Sequence, residues 1–358
     1  MSESSSSFIE SEEIVKRPIA VVDFFSGCGG TSMGLRDAGM EIAVGVDIDK
    51  DAAQTYRSNF PTAKFIERDI CKVAVDEIRQ LVPRQHRLLL SGCEPCQPFS
   101  KQNRSSSQAD SEDPRRNLLR EFQRFVVGLR PDVVVVENVP GLQKIGDQGP
   151  FYEFVDALAS NDYFVEWKIL SAMSFGVPQV RRRLVLIASR SQAVSLPRPT
   201  HGPCLQDVAV VRDYISGLPS LKVGQADPSD PDHAAMNLSE LNVKRISITP
   251  EGGGRESWPP SLVVDCHRGH DGHSDVYGRL AWDRPASAIT TRCLSYSNGR
   301  FGHPSENRAI SLREAACLQT FPRSFRFYGS LLSRGRQVGN AVPPLMARAV
   351  GMAIIHAG

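Results

Sequence analysis

Five short apolar runs punctuate the chain up to residue 190, at positions 19–25, 41–46, 88–90, 133–136 and 184–188, with stretches of helical spacing between most of them. Positions 133–136 are four consecutive valines and 88–90 three consecutive leucines. Neither run alternates apolar with polar residues, so both faces of each strand need cover, which is the condition of a parallel sheet sandwiched between helices. Parallel neighbours also need a crossover, and helices are predicted over 31–38, stopped by Gly39, and over 51–58, 117–128 and 151–159. The chain is therefore expected to be α/β, with a doubly wound sheet.

Such a sheet presents its chemistry at the carboxyl ends of its strands. Residues 91–100 read SGCEPCQPFS, which puts Cys96 just past the leucine run, and residues 133–142 read VVVVENVPGL, which puts Glu137 at the end of the valine run. A nucleophile and a proton donor would share one crevice. Residues 23–30 read DFFSGCGG, a glycine turn between strand and helix of the kind that lets backbone approach a cofactor. Position 32 is Ser where a GxGxxG dinucleotide motif has its third Gly, so a purely structural turn is the competing reading. Asp47, twenty residues past Gly27 at the end of the second strand, is placed to hold a ribose diol, and Asp69 ends the third strand in a similar position.

At 358 residues, 41% hydrophobic and 23% charged, the chain can bury a large core and is expected to form one large domain and one smaller. The start, MSESSSSFIESEE, is polar and acidic where a secretory signal is basic and then apolar, and no run of eighteen apolar residues occurs. A cytoplasmic protein without membrane contact is predicted. The eight cysteines are then expected as free thiols. Cys93 and Cys96 form the one CxxC, but its surroundings supply neither a thioredoxin-like helix start nor a second ligand pair. Cys266, His267, His270 and His273 crowd together at no structural zinc spacing, so no metal site is expected.

Net charge is +2, yet residues 1–241 carry 27 basic and 32 acidic side chains (−5) and residues 242–358 carry 15 and 8 (+7). Arginine supplies 33 of the 42 basic residues, a composition suited to phosphate and guanine and equally to a GC-rich genome. Residues 1–17 have the Ser/Glu composition of a disordered tail, 18–195 carry the alternating pattern, and 196–325 turn to Pro, Gly, His and Ser without a sustained period. The segment 326–358 regains helical spacing through Leu345, Ala349 and Met352 and is expected to pack back on the first domain.

Taken in order, DFFSGCGG, the Asp47 strand end, ERDI at 67–70, EPCQPFS at 94–100, ENVPGL at 137–142, QVRRR at 179–183, RPASAITTR at 284–292 and QVGNAVPP at 337–344 resemble the motifs of the DNA (cytosine-5)-methyltransferases. The resemblance spans roughly residues 19–358 apart from the stretch between Arg190 and Arg284. It implies a Rossmann-like, S-adenosylmethionine-dependent methyltransferase domain and a smaller, loop-rich target-recognition domain, acting on duplex DNA. By this resemblance Cys96 is the nucleophile that attacks carbon 6 of a flipped cytosine, and Glu137 protonates nitrogen 3, a role that burial would favour. Arg181 and Arg183 hold the cytosine and support Glu137, while Arg182, on the opposite face of its strand, reads as solvated.

Cofactor contacts carry over to Phe25, Gly27 and Gly29 in the turn, Asp47 and Ile48 at the ribose and beside it, Asp69 and Ile70 near the adenine, and Asn340 near the methionine end. Gln97, Ser100 and Arg292 carry over as DNA contacts, with residues 101–113 as a lid; Arg255, Arg268, Arg279 and Arg300 join Arg292 as arginines that could read bases. The length implies a bacterial or phage enzyme. A monomer associated with the nucleoid through DNA is expected, with a cognate restriction endonuclease encoded nearby as a candidate partner. Cys93 and Glu94 depart from the family, which usually has Gly or a small residue and then Pro or Phe; a carboxylate there would oppose thiolate formation at Cys96 unless an arginine offsets it. A tRNA cytosine-5 methyltransferase is the nearest alternative, but its Cys-Phe-Thr element is absent. A catalytically silent DNA-binding module is disfavoured by the intact Cys96, Glu137 and Arg183.

Overall fold

The computed structural model describes residues 17–93, 118–144, 149–265 and 275–357; Cys96, Gln97, Ser100, the stretch 101–113, Arg268 and the cluster at 266–273 lie outside the described residues. The chain divides into two compact units, one comprising residues up to 170 with 182–198 and 346 onward, the other 171–181 with 199–345. Two boundaries differ from the sequence expectation. Residues 171–181 group with the second unit, and of the C-terminal segment only 346 onward groups with the first.

In the first unit the elements alternate as the apolar runs require: β1 (Ile19–Phe24), α1 (Gly30–Asp37), β2 (Glu41–Asp47), α2 (Lys50–Asn59), β3 (Lys64–Glu67), α3 (Val75–Leu81), β4 (Arg87–Gly92), α4 (Leu118–Leu129), β5 (Val133–Asn138), α5 (Pro150–Ala159), β6 (Phe164–Ser171) and β7 (Arg182–Ser189). They build one seven-stranded sheet in the order β3-β2-β1-β4-β5-β7-β6. The pairs β1–β2, β2–β3, β1–β4 and β4–β5 are parallel, whereas β7 runs antiparallel to β5. The direction of winding reverses between β1 and β4, which opens the crevice where such sheets take ligands.

Burial explains the choice of strand. All six residues of β1 and the four valines of β5 are buried, and β-branched side chains fit a pleat covered on both faces. β6 alternates exposed and half-buried residues for most of its length, as an edge strand does, and it and α3 have no counterpart in the sequence expectation. α4 buries Leu119, Phe122, Phe125 and Val126 at helical spacing. The rings of Phe122 and Phe125 lie 5.6 and 4.6 Å from that of Phe24. The last residue of β4 is Gly92, where a Cβ would meet the Phe122 ring at 2.9 Å. α2 starts at Asp49, whose carboxylate accepts from the N–H groups of Asp51 and Ala52.

The second unit has short elements; one buried cluster joins Ile246, Trp258, Tyr296 and Ala309, and the rings of Phe321, Phe325 and Phe327 form another, with centroids 4.7–5.4 Å apart. Its helices are α6 (Val211–Ile215), α7 (Glu240–Ile248), α8 (Leu312–Leu318) and α9 (Leu331–Asn340); α10 (Pro344–Ala357) begins in it and continues in the first unit. The stretch Leu331–Ala357 is long and apolar enough to cross a membrane by length and composition, but 61% of its apolar window is buried inside the protein, as in a core helix. Polar side chains do much of the tying. Gln179 donates to Leu318 O and Gln319 Oε1, Ile289 N donates to Gln179 Oε1, and Gln319 donates to Val338 O. This knot draws α9 against the 284–292 segment.

Gly339 sits at the tightest point, where a Cβ would lie 2.2 Å from the carbonyl carbon and oxygen of Thr290. Backbone cannot yield there as a flexible side chain could. Gly339→Ala should therefore destabilise the protein by about 1–3 kcal/mol or more, read as a lower urea midpoint; an unchanged midpoint would mean that this approach is not needed.

Candidate active site

The register of the parallel strands aligns four exits. Val46 pairs with Phe24, Phe24 with Gly92, and Gly92 with Val136. The next residue on each strand is Asp47, Phe25, Cys93 or Glu137, so these four stand in a row at one edge of the sheet. With strands about 4.8 Å apart, the row is roughly 14 Å long. Acidic groups of different kinds occupy its ends.

At one end the glycine turn closes on Asp47. Phe25, Gly27 and Gly29 have φ of 55°, 51° and 95°, left-handed values that glycine adopts without strain and Phe25 does not. Gly27 N donates to Asp47 Oδ2 at 2.8 Å and Asp49 N to Asp47 Oδ1 at 2.8 Å. Burial raises the Asp47 carboxyl above its ordinary range, and those two N–H groups pull it back down. Each carboxylate oxygen keeps a second lone pair for a hydroxyl. Around Gly27 there is open space, Ile48 next to Asp47 is 69% exposed, and α1 starts with neither a side-chain cap nor an acidic residue in its first turn. These are the donors, acceptors and apolar surface that a nucleoside bearing an anionic group needs. The set fits S-adenosylmethionine.

Two other expected cofactor residues are less open. Asp69 lies past the end of β3 and accepts from Cys71 N at 3.0 Å, and Ile70 is buried in the core. Phe25 is partly buried and packs on the core edge.

At the other end Arg183 Nε lies 2.7 Å from Glu137 Oε1, both side chains largely shielded. The contact is an ion pair without aligned hydrogen-bond geometry, and that buried oxygen has no hydrogen-bond partner among the described residues. Glu137 pairs with Val185 on β7, and Arg183, two residues before Val185, shares its face. Arg182 is exposed, as strand alternation predicts. Between the two ends stands Cys93, whose N donates to Phe24 O and whose Sγ is 3.5 Å from Thr31 Oγ1. Cys96 follows three residues later in the sequence, beyond the described residues.

Arg181, Arg292 and Asn340 belong to the second unit. The Arg181 guanidinium is buried and donates to Ile289 O at 2.8 Å, Gly339 O at 3.3 Å and Ala341 O at 3.1 Å, the carbonyls on either side of exposed Asn340. Arg292 is exposed. Burial pushes the thiols of Cys28 and Cys293 up to about 12 and that of Cys317 to about 11, which keeps them protonated and unreactive. No group of possible metal ligands occurs among the described residues.

Sequence reasoning missed a network beneath the turn. Ser32, the residue that spoiled the dinucleotide motif, donates to Asp23 Oδ2 at 2.6 Å and lies 2.7 Å from the Tyr56 hydroxyl. It thereby ties β1, α1 and α2, the elements that carry Phe25, the turn and Asp47. Asp23 is fully buried, and burial pushes its carboxyl up to about 6, with the bond from Ser32 offsetting only part of the cost and Asp47 adding to it. Its Oδ1 has no hydrogen-bond partner among the described residues, nor has the Ser91 hydroxyl on β4.

A raised folded-state carboxyl contributes stability below its unfolded value that is lost as pH rises through the folded value. Relative to Asp23→Asn, the wild type should lose about 3 kcal/mol between about pH 4 and pH 6.5. Urea midpoints of both proteins across that range measure it; parallel curves would show that Asp23 titrates normally.

The model of the family of C-5 cytosine-specific DNA methylases matches residues 19–356. The Type II methylase M.HgiDII of Herpetosiphon aurantiacus is 39% identical over 94% of this chain and 94% of its own length. The Type II methyltransferase M1.HphI of Haemophilus parahaemolyticus is 32% identical over 94% of this chain and 87% of its own. Among solved structures, an Escherichia coli prophage protein assigned as a DNA modification methyltransferase superimposes with a TM-score of 0.74 at 22% identity, over 94% of this chain and 99% of that one.

Proposed function

Because the chain belongs to the C-5 cytosine-specific DNA methylases, we propose that Cys96 and Glu137 carry the transfer of a methyl group to carbon 5 of a cytosine in duplex DNA. The protein is a methyltransferase that modifies cytosine in DNA with S-adenosylmethionine. The observation that carries the residue assignment is the row of strand exits in the first unit, Asp47 with the glycine turn at one end and Glu137 with Arg183 at the other.

Carbon 5 of cytosine is a poor nucleophile until something adds to carbon 6. In this reading the Cys96 thiolate forms the bond to carbon 6, and the electrons of the 5,6 double bond become available at carbon 5. Glu137 gives a proton to nitrogen 3 as charge builds in the ring, with Arg183 fixing its carboxyl group. S-adenosylmethionine, when bound, supplies an electrophilic methyl group on its sulfonium. Loss of the proton from carbon 5 then expels Cys96 as thiolate and restores the double bond, and the nitrogen 3 proton returns to Glu137.

Asp47 takes the ribose hydroxyls with Ile48 beside it, Asp69 and Ile70 lie near the adenine, and the turn from Phe25 through Gly29 receives the methionine end. Asn340 is proposed as a further cofactor residue. Arg181 positions Asn340 through the flanking carbonyls and acts on the base only indirectly. Gln97 and Ser100 contact DNA around the flipped cytosine, and Arg292 contacts DNA from the second unit. The names of the Type II relatives support a place in a restriction-modification pair beside a cognate endonuclease. A monomer in the bacterial cytoplasm is part of the same proposal.

Duplex DNA with 5-fluorocytosine at the target lacks the proton that elimination removes. It should give an SDS-resistant complex with wild type and none with Cys96→Ser; a covalent complex surviving in the variant would assign the nucleophile elsewhere. Glu137→Gln should slow methyl transfer roughly 10²- to 10⁴-fold while cofactor affinity, measured by calorimetry, stays nearly constant. Unimpaired transfer would remove Glu137 from the chemistry.

A further inference from the structure

We propose that Arg292 and Asn298, in a cavity of the second unit, read base edges of the target sequence; the inference rests on the chain being a DNA methylase. Most arginines of this unit are already committed to the fold. Arg279, 4% exposed, donates to the carbonyls of Ile246, Thr249, His303 and Glu306 and to Asn307. Arg300 donates to Gly252 O and Gly253 O and pairs with Asp275, so neither arginine is free to read a base as the sequence allowed. Arg308 is paired with Glu306 and Glu314, Arg313 with Asp230 and Asp232, and Arg245 bonds Leu262 O and lies over the Trp258 ring.

Arg292 differs. It is exposed, and its guanidinium has no ion pair or hydrogen bond among the described residues. It lines a cavity of about 660 Å³ together with Asn298, Asn242, Ser297, Arg336 and Leu332. No acidic residue lines that cavity. Asn298 is exposed as well, with an amide that has no partner among the described residues, whereas Asn242 is engaged by Arg245. Leu332, in the wall of the same cavity, is 67% exposed.

The backbone beneath these free side chains is fixed. Arg292 O accepts from Ser295 N at 3.0 Å, Ser295 O from Asn298 N at 3.1 Å, and Thr290 O from Cys293 N at 3.0 Å. Cys293, Leu294 and Tyr296 between them are buried, with Tyr296 3.0 Å from Thr249 Oγ1. A rigid turn that presents an unpaired fork and an unpaired amide loses little entropy when a partner arrives. The planar fork matches O6 and N7 of guanine, the amide matches N6 and N7 of adenine, and an exposed leucine suits a thymine methyl group.

The experiment begins with bisulfite sequencing of a methylation-free bacterium expressing wild type, which defines the target. Methyl transfer by wild type, Arg292→Ala, Arg292→Lys and Asn298→Ala is then measured on duplexes carrying the target and each single-base variant, across salt, with cofactor affinity as the check on folding. Arg292→Ala should lower kcat/KM on the target roughly 5- to 150-fold and lose discrimination at one base position to the same degree, with Asn298→Ala acting at a different position and cofactor binding unchanged in both. Arg292→Lys should recover only part. An equal loss on every duplex with a shallower salt dependence would make Arg292 a phosphate contact and overturn base reading, as would no loss at all. If wild type produced no 5-methylcytosine anywhere, the methylase reading itself would fall, an outcome distinct from either.

Discussion

The hydrogen-bond register of four parallel strands governs everything at the crevice. Parallel pairing holds β2, β1, β4 and β5 in step, so the residue after each strand emerges at the same level. A shift of one residue in β2 or β5 would turn Asp47 or Glu137 to the opposite face. Chemistry therefore inherits its alignment from backbone pairing, and side chains need only finish it. Ser32 and Asp23 secure the cofactor end, and Arg183 secures Glu137 from the antiparallel β7.

The second unit solves a different problem. Its helices and strands are short, and many backbone carbonyls lie away from any ladder. Buried guanidinium and amide groups satisfy them, with Arg279, Arg181, Gln179 and Gln319 each bridging segments distant in sequence. Matching them matters because an unmatched buried polar atom costs about 1–3 kcal/mol. Those bonds fix the loops that carry the carbonyls.

The difference between the units explains what was legible in the sequence. Val133–Asn138, the glycine turn and Asp47 were readable because continuous apolar runs and strand-end acids follow from local pattern. α3 has one buried residue and β6 is an edge strand, so neither shows a strong period. The antiparallel entry of β7 depends on where the chain goes after β6, which no local pattern records. Arg279 and Arg300 look in sequence like any arginine of a basic segment, and only their non-local carbonyl partners separate them from Arg292. Ser32 departs visibly from the GxGxxG pattern, but its bond to Asp23 depends on the packing of α1 against β1, which is not written in any local pattern.

Interior arginines also change what the formal charge of residues 242–358 means. Fifteen basic side chains give +7, but Arg245, Arg279, Arg308 and Arg313 are all at most 8% exposed and held by carbonyls or carboxylates. Groups locked inside cannot displace the cations condensed on a duplex. Association with DNA then releases fewer counterions than a charge count suggests, and its affinity should depend less steeply on ionic strength. A larger share of the binding energy falls to contacts that distinguish one sequence from another, so an arginine-rich chain can remain sparing in its attachment to bulk DNA.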